Sequence, residues 1–526
     1  MATTNHYDLI VLGAEIAGLV AAALAARRGK RVLVMPLGTA TGTYRLGSHI
    51  LDFEDVPVVH MGTPPVRRVF AELGLMHQVR REHGPIDGPV HFALADERID
   101  LAPAEADLVP RALRAWPTAA VEAAWDLRAR WIRAVDELFD ELLDADASLV
   151  ADGFWSRRFL ARVEAQLPGP ATDELEPLQP LHPLRDVPRA VEPWLAHLAR
   201  RQLGKAAALR LGGLWSRGPE DVPEGLRRVR RTLLQRIELH SGDVKPDLRV
   251  AEILTRRGRV SGIALLGKRD HYGCDHLIVA SDPRELLRLG VDTAPIPRAA
   301  AHATAPLHTA ALRVTLHAVV RDVGLSPAIA GPVVVTPDDV PDDDPRPHAP
   351  LGARHGDALA VHDERGAGVG ASYVRVGPGP SEDTRHVRIT RVVAPDEPLD
   401  DLRELVLDEL DERGVLPFIH DHVLWMHSPH DGREVTDGHG RVIPGLGTAT
   451  AMNATPPAIY GAHEPPSLGI GLLPLTTAIR NLVLASRATL PGLGLEGEFA
   501  AGAMAAGLTA SAGRSPFRRP ILLGRV

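Results

Sequence analysis

The segment from residue 7 to residue 35 places the strongest constraint on how this chain folds. Residues 7–12 (YDLIVL) are an almost continuous apolar run, which is typical of a strand buried on both faces of a parallel sheet. A turn containing Gly13 and Gly18 follows, and it leads into an alanine-rich stretch with helical spacing that ends at Gly29. Residues 31–35 (RVLVM) predict a second buried strand. Because parallel strands need a crossover connection, this order predicts a βαβ unit at the start of the chain.

The turn of this βαβ unit departs from the glycine pattern that binds dinucleotides. That pattern, GxGxxG, uses its glycines for a tight turn, for close approach of the diphosphate and for packing of helix on strand. Gly13 and Gly18 occupy the outer positions, but Glu15 places a carboxylate where a diphosphate would meet the positive end of the helix. Pro36 follows the second strand, where an acidic residue usually binds the ribose. The unit is therefore either kept for architecture alone, or binds a dinucleotide less tightly with the Glu15 side chain turned outward.

Composition and charge exclude several classes of partner. The 59 Lys and Arg residues against 67 Asp and Glu residues give a formal charge of -8, so no basic field attracts nucleic acid. Cys274 is the single cysteine, which fits a reducing compartment and a place in the core. No signal peptide precedes the first strand, and the alanine-rich residues 17–26 are too few to span a bilayer. We expect a cytoplasmic protein, and peripheral contact with a membrane is compatible with these features.

The middle of the chain predicts a helical insertion and then a return to the first sheet. Residues 107–202 carry apolar side chains at helical spacing, and we expect the following to be buried: Trp125, Trp131, Leu138 and Phe139. Residues 224–238 predict another amphipathic helix, with four arginines expected in solvent: Arg227, Arg228, Arg230 and Arg231. Three strands are predicted next, and the last returns to the first sheet: residues 247–254, 259–265 and 276–280.

A second, antiparallel sheet is predicted after residue 300. Its strands and their helix are expected at residues 312–320, 331–335, 358–362, 387–393 and 399–413, with an acidic surface loop at 337–350. Four histidines follow close together, and a His-x-His on a strand would place two imidazoles on one face: His420, His422, His427 and His430. No clear carboxylate or cysteine completes a ligand set, so we predict no metal site.

The end of the chain repeats the order of strand, glycine turn and helix. Residues 481–486 (NLVLAS) predict a strand, residues 491–497 (PGLGLEG) a turn, and residues 499–508 (FAAGAMAAGL) a helix of small side chains. With the opening βαβ unit and the segments PVRRVFAELGL, HLIVASDP and AIYGAHEPPSLGIGLLP, the sequence resembles the phytoene desaturase family of FAD-dependent oxidoreductases, which belong to the amine-oxidase-like flavoproteins. The resemblance covers almost the whole chain and lies in the order of the elements.

This resemblance implies an α/β fold with a Rossmann-type FAD/NAD(P)-binding domain assembled from separate segments, namely residues 1–100, 205–295 and 475–526. A helical insertion over residues 101–204 and an α+β substrate-type domain with an antiparallel sheet over residues 296–474 complete the expected organisation. The family acts on long apolar polyenes near membranes. An apolar, isoprenoid-like small molecule is therefore the implied substrate.

The resemblance also implies which residues contact FAD. The diphosphate would face Gly13, Ala14, Ile16, Ala17 and Gly18, the ribose Met35 and Pro36, the adenine the backbone of Val250, and the flavin Pro491, Gly492 and Gly494. The sequence departs from the family pattern at four positions: Glu15, Pro36, Arg487 and Glu496. A carboxylate about 4 Å from a phosphate costs roughly 1 kcal/mol in water and about 4 kcal/mol near a protein surface. We therefore predict weak or absent FAD binding, unless Arg487 offsets the repulsion by pairing with a phosphate or with a glutamate.

Three functions remain open at this point. The first is an FAD-dependent oxidoreductase with no assigned catalytic side chain, for which Tyr460 and His463 are the polar candidates to test. The second is a flavin-free relative that binds a lipid or a protein partner, because Glu15, Pro36 and Glu496 disfavour FAD. The third is a dehydrogenase that binds NAD in the first βαβ unit. The charge of Glu15 would disfavour the diphosphate of NAD, as it would that of FAD.

Overall fold

The computed structural model describes the helices, strands and loops that position the site. The described residues are 6–37, 42–86, 88–94, 97–101, 118–144, 149–150, 154–167, 178, 182–216, 220–222, 224–267, 271–287, 304, 307–325, 329, 331–337, 368–447, 449–464 and 466–510. The predicted strand at residues 358–362 and the predicted loop at residues 337–350 fall outside these ranges, except for Pro337.

The strands, in chain order, are β1 (His6–Leu12), β2 (Val32–Met35), β3 (Thr43–Leu46), β4 (His49–Asp52), β5 (Gly84–Pro85), β6 (Val90–Ala93), β7 (Arg98–Leu101), β8 (Glu220–Asp221), β9 (Asp243–Val244), β10 (Val250–Arg256), β11 (Arg259–Leu265), β12 (His271–Val279), β13 (Leu307–Arg321), β14 (Val333–Val335), β15 (Ser372–Pro378), β16 (Thr384–Val393), β17 (Val423–His427), β18 (Ala458–Ala462) and β19 (Leu482–Leu484).

The α-helices are α1 (Ile16–Arg27), α2 (Pro64–Glu72), α3 (Met76–Glu82), α4 (Thr118–Asp144), α5 (Phe154–Glu164), α6 (Asp186–Leu195), α7 (Lys205–Ser216), α8 (Leu226–Leu239), α9 (Leu402–Glu412), α10 (Ile419–His422) and α11 (Gly494–Ala510). Short 3-10 turns include Pro283–Leu287, Ser467–Gly469 and Pro491–Leu493. No helix in the described part of the chain combines the length and the apolar character needed to cross a membrane.

The first sheet joins the start, the middle and the end of the chain. β1 lies parallel to β2 on one side and to β12 on the other, and β2 continues to β9. The other edge of β12 is shared, because its first residues pair antiparallel with β11 and its last residues pair parallel with β19. The β10–β11 hairpin extends the sheet beyond β11. The predicted return of a middle strand to the first sheet is confirmed.

Helix α1 fills the space between this sheet and the end of the chain. Every residue from Ile16 to Ala26 is buried, as expected of a helix that is apolar all round. Helix α11 packs against it so closely that a Cβ added at Gly502 would lie 2.3 Å from the Ala17 carbonyl oxygen. Small side chains on both helices therefore permit the close approach.

The second sheet is mainly antiparallel and runs in the order β17, β13, β16, β15, β14, β6 and β7, with β18 paired to β13. Its one parallel pair in the described region joins β14 to β6. β6 and β7 come from residues 90–101, although the resemblance implies that residues 1–100 belong to the first domain. The sequences of these two strands show no clear strand pattern, since each strand is only four residues long. Helix α9 covers one face of the sheet through its buried Leu402, Val406 and Leu410.

Several local predictions can be compared directly with the structure. Phe139 is fully buried, while Trp125, Trp131 and Leu138 pack partly buried against the same core. Cys274 is buried in the core on the other face of the first sheet. Helix α8 confirms the predicted amphipathic helix. Its arginine face differs from the prediction, however, because Arg230 is buried.

Candidate functional site

A cavity of about 570 Å³ opens where the carboxyl ends of β1 and β12 face the second sheet. Cavities of roughly 300–1,000 Å³ are typical of small-molecule sites, and the edge beyond the carboxyl ends of parallel strands is where α/β proteins bind ligands. The first sheet and its helices supply most of the charged lining residues, including Glu15, Arg230, Asp282 and Arg487. The second sheet supplies uncharged residues, including Leu312, Ala458 and Tyr460.

The turn between β1 and α1 forms one wall of the cavity. Gly13 has φ +109°, and a Cβ there would lie 2.1 Å from the Ala280 carbonyl oxygen. A Cβ at Gly18 would lie 2.1 Å from the Ala280 Cβ, so both glycines allow the helix to approach β12. Helix α1 then begins at Ile16 with Glu15 as its N-cap residue, and the Glu15 side chain makes no capping hydrogen bond. The amides of the first helical turn are thus left without a side-chain cap.

The Glu15 carboxylate is held by Arg487 at the edge of the cavity. The backbone N–H of Arg487 donates to Glu15 Oε2 at 2.8 Å, and the Arg487 Nε lies 3.7 Å from Glu15 Oε1. Burial raises the pKa of the Glu15 carboxyl to about 7, and the charge of Arg487 lowers it only in part. The pairing of Arg487 with a glutamate, which the sequence analysis considered, is therefore present.

A chain of buried charges continues from Arg487 towards the second sheet. Arg487 Nη1 donates to Glu54 Oε2 at 3.2 Å, and Arg313 Nη1 donates to Glu54 Oε1 at 2.8 Å. His197 lies 3.3 Å from Arg313 Nη1 and 3.0 Å from the Glu498 carboxylate. Burial by itself would raise the pKa of Glu54, but Arg487 and Arg313 hold it well below its usual value. Glu54 is therefore ionised at neutral pH, between two arginines.

Arg230 and Ser281 supply buried polar atoms that lack partners among the described residues. The Arg230 side chain lines the cavity and is only 9% exposed, yet its Nε has no hydrogen-bond partner there. The Ser281 hydroxyl, two residues after the end of β12 and also in the cavity wall, has none either. Buried polar groups are nearly always hydrogen-bonded, so the Arg230 Nε and the Ser281 hydroxyl are donors available to a ligand. These two side chains suit an anionic group in the cavity.

Only some of the residues predicted to contact a cofactor meet at the cavity. Ala14, Glu15 and Arg487 line it. The others lie elsewhere: Gly13, Ile16, Ala17 and Gly18 are buried in the turn and first turn of α1, Met35 ends β2 beside Pro36, and Val250 begins β10. The roles of these residues in binding a cofactor therefore stay predictions.

The C-terminal glycines pack against backbone. A Cβ at Gly492 would lie 1.9 Å from the Gly469 carbonyl oxygen, and one at Gly494 would lie 1.7 Å from that of Leu195. Pro491 accepts a hydrogen bond from the His197 amide through its carbonyl oxygen. Glu496 is absent from the residues that line the cavity, and it pairs with Arg210 at 2.7 Å. The expectation that Glu496 disfavours FAD stays a prediction.

Of the two polar candidates, Tyr460 lines the cavity and His463 does not. Tyr460 is buried, and burial raises the pKa of its hydroxyl well above the usual value. His463 is exposed, with its ring 5.4 Å from that of His308. Tyr460 therefore stays protonated at neutral pH and is a hydrogen-bond donor available to a ligand.

The clustered histidines are dispersed in the structure. His420 and His422 lie in the short helix α10, so the condition that would place both imidazoles on one face of a strand is not met. His420 pairs with Asp408 at 2.9 Å, whereas His427 contacts the Tyr44 hydroxyl at 3.1 Å. Within the described ranges, no group of three or more histidines, cysteines or carboxylates has a geometry that could hold a metal ion.

Comparison with known proteins identifies the architecture. No family model and no curated sequence matches the chain. An oxidoreductase from Methanosarcina mazei covers 94% of this chain and 99% of its own, with 12% identity and a TM-score of 0.53. A putrescine oxidase variant redesigned in cofactor binding covers 97% and 99%, with 14% identity and a TM-score of 0.52. The chain shares the fold of these two oxidoreductases. The predicted α/β class, with a Rossmann-type sheet built from separate segments and a second, mainly antiparallel sheet, is confirmed.

A third similar structure is the cyclohexylamine oxidase from Brevibacterium oxydans. It has 14% identity to this chain, covers 96% of it and 99% of its own length, and gives a TM-score of 0.49.

Glu15→Gln is expected to stabilise the protein above pH 7 and to have little effect near pH 5. Burial raises the pKa of the folded Glu15 carboxyl from 4.5 to about 7, so folding favours the protonated form. The stability that this group contributes is present below pH 4.5 and is lost as the pH rises through 7. The free energy of unfolding that is lost reaches up to about 3 kcal/mol. Urea unfolding of the wild type and the variant at pH 5 and pH 8 measures this difference. A variant less stable than the wild type at pH 8 would mean that the attraction of Arg487 outweighs burial.

Proposed function

We propose that the protein is an FAD-dependent oxidoreductase whose cofactor lies in the cavity between the two sheets. The observation that carries the proposal is the pair of unpartnered buried donors, Arg230 and Ser281, beside the uncapped N-terminus of α1. A helix N-terminus, a guanidinium and a hydroxyl are all groups that bind phosphate oxygens. The shared fold with two oxidoreductases supports the same proposal.

The donor set fits the diphosphate of FAD even though Glu15 replaces a glycine. The Glu15 carboxylate is directed at the backbone and side chain of Arg487, so its charge is partly neutralised. Ala14 has no large side chain, and Leu37 supplies an apolar wall beyond the second strand. Bound FAD would supply hydride acceptance, while the chain would bind and orient the cofactor and exclude water.

The uncharged side of the cavity favours an apolar substrate, in line with the resemblance to phytoene desaturases. On this side the second sheet and the loop before β18 line the cavity with Leu312, Pro456, Pro457 and Ala458, and the polar groups there are Thr309, Thr455 and Tyr460. Apolar walls with few polar groups are typical of sites for small apolar molecules. We propose an isoprenoid-like substrate on this side.

Visible absorption of the purified protein tests the proposal. A flavoprotein is yellow as isolated, or becomes yellow after incubation with FAD and removal of excess cofactor. Titration with ADP, which has the diphosphate without the flavin, tests the anion site separately. Protein that stays colourless with excess FAD, and that binds no ADP, would contradict the proposal.

Arg230→Leu is expected to weaken FAD binding by roughly 10- to 100-fold, because hydrogen bonds to charged groups contribute about 1.5–3 kcal/mol. It is also expected to lower the free energy of unfolding, because the charge of Arg230 lowers the pKa of the buried Glu54 and Glu498 carboxyls. Calorimetric titration with FAD and urea unfolding measure the two effects. Arg228→Leu is the matched control, because Arg228 lies on the same helix but pairs with Glu82 at 2.8 Å. Equal losses of affinity in both variants would contradict a direct role for Arg230.

A flavin-free binding module is the second candidate, and one observation favours it. Glu15 and Glu54 both line the cavity and share Arg487, and Arg230 adds a second positive charge that acts on Glu54. Such a network is complete without a flavin. If the protein binds ADP but never FAD, this candidate is preferred.

A further inference from the structure

Helix α5 exposes two large aromatic side chains at its start. Phe154 is 65% exposed and Trp155 is 73% exposed, and their rings meet edge to face with centroids 5.2 Å apart. The opposite side of the helix is buried through Leu160 and Val163. The helix is therefore anchored by one side and presents the aromatic pair to the surroundings.

Two arginines share the exposed side with these aromatics. Arg158 and Arg162 follow Phe154 by four and eight positions, and both are exposed. Residues spaced by four lie on one face of a helix, so Phe154, Arg158 and Arg162 form one row, and Trp155 lies beside that row. We call Phe154, Trp155, Arg158 and Arg162 the α5 face. It is a cationic and aromatic surface on a chain whose formal charge is -8.

We propose that the α5 face docks on the surface of an anionic phospholipid bilayer. Tryptophan and phenylalanine enter the boundary between headgroups and acyl chains, while arginine keeps its charge at the headgroups. Each arginine near an anionic leaflet adds electrostatic attraction. A second copy of this chain is a poorer occupant, because a two-fold contact would set Arg158 and Arg162 against their own counterparts.

The position of α5 connects this docking to the cavity. The helix packs against the turn Ser467–Gly469, which follows strand β18, and Ala458 and Tyr460 of β18 line the cavity. A lipid-dissolved substrate would thus reach the protein beside a wall of the site. This connection rests on the proposed function, whereas docking itself does not require FAD.

Co-sedimentation of the full-length protein with vesicles tests the proposal. We expect binding to vesicles of phosphatidylcholine mixed with phosphatidylglycerol, and weaker binding to phosphatidylcholine alone. The double variants Phe154→Ser with Trp155→Ser, and Arg158→Gln with Arg162→Gln, are each expected to lower the partition coefficient by roughly tenfold or more. Circular dichroism verifies that they fold, as their exposed positions predict.

The control is Phe418→Ser, which removes an aromatic side chain that is 71% exposed next to α10. It is expected to bind vesicles like the wild type. Equal binding by all variants, or no binding of the wild type to anionic vesicles, would overturn the proposal. So would α5 variants that change the oligomeric state and leave vesicle binding intact. Since none of these measurements uses flavin, failure here is distinct from failure of the proposed function.

Discussion

Arg313→Leu is expected to reduce the free energy of unfolding by about 3–5 kcal/mol, because it breaks a buried ion pair from one side. Arg313 is fully buried and donates to Glu54 at 2.8 Å and to the Pro193 carbonyl oxygen at 2.7 Å. It also donates to the carbonyl oxygen of Ala196. The variant leaves two backbone acceptors unsatisfied and Glu54 with Arg487 alone.

Urea unfolding followed by tryptophan fluorescence measures the Arg313 effect. The matched control is Arg385→Leu, which removes a half-exposed partner of Asp322 at 2.9 Å and should cost less than about 1 kcal/mol. Adding Glu54→Gln to Arg313→Leu should recover part of the loss, since the stranded charge is removed as well. A loss no greater than that of the control would show that Arg313 does not stabilise this network.

Arg210→Met should lower stability by a similar amount, about 3–5 kcal/mol, because Arg210 serves three carboxylates. Its guanidinium donates to Glu496, Asp136 and Asp140, each at 2.7 Å. Arg210 and Glu496 are both fully buried, and burial raises the pKa of Glu496. Without the arginine, Glu496 must take up a proton or remain as an unpaired buried charge.

The matched control for Arg210 is Arg28→Met, which removes one partner of the exposed pair with Glu72 at 2.8 Å. Thermal unfolding at pH 5 and pH 8 adds a second measurement. The Arg210→Met protein should be closer to the wild type at pH 5, since Glu496 is then more easily protonated, and Glu496→Gln should abolish that difference. A pH-independent loss would instead indicate damaged packing around α4 and α7.

Elements whose sequence patterns are local could be predicted from the sequence. The apolar run of β1, the glycine turn and the buried helix α1 need no distant residue to be recognised, and neither does the return strand β12. Strands β6 and β7 were not predicted, because four residues are too few to show a periodicity, and because the partner of β6 in the sheet, β14, lies more than 230 positions away in the sequence.

Charged groups at the site were harder to place, because their meaning depends on partners far away in sequence. Glu15 was recognised as a misfit, but its bond to Arg487 joins residues 472 positions apart. Glu496 was placed beside a cofactor, yet its partner Arg210 lies 286 positions away. Arg230 was recoverable, since it falls between Leu226 and Leu233 on the buried stripe of α8. An arginine at an apolar position of an amphipathic helix indicates a buried charge, even when the helix as a whole is rich in arginine.

The arrangement of β12 and α1 has a consequence for how the protein is made. β19 and α11 complete the first sheet and cover α1, but they are synthesised about 450 residues after α1. Until they emerge, α1, which is apolar on every side, has no covering partner at that face. Nascent chains with exposed apolar helices aggregate or recruit chaperones. Synthesis of this protein should therefore depend on chaperones until residues 482–510 emerge, and truncation before residue 482 should yield insoluble chains.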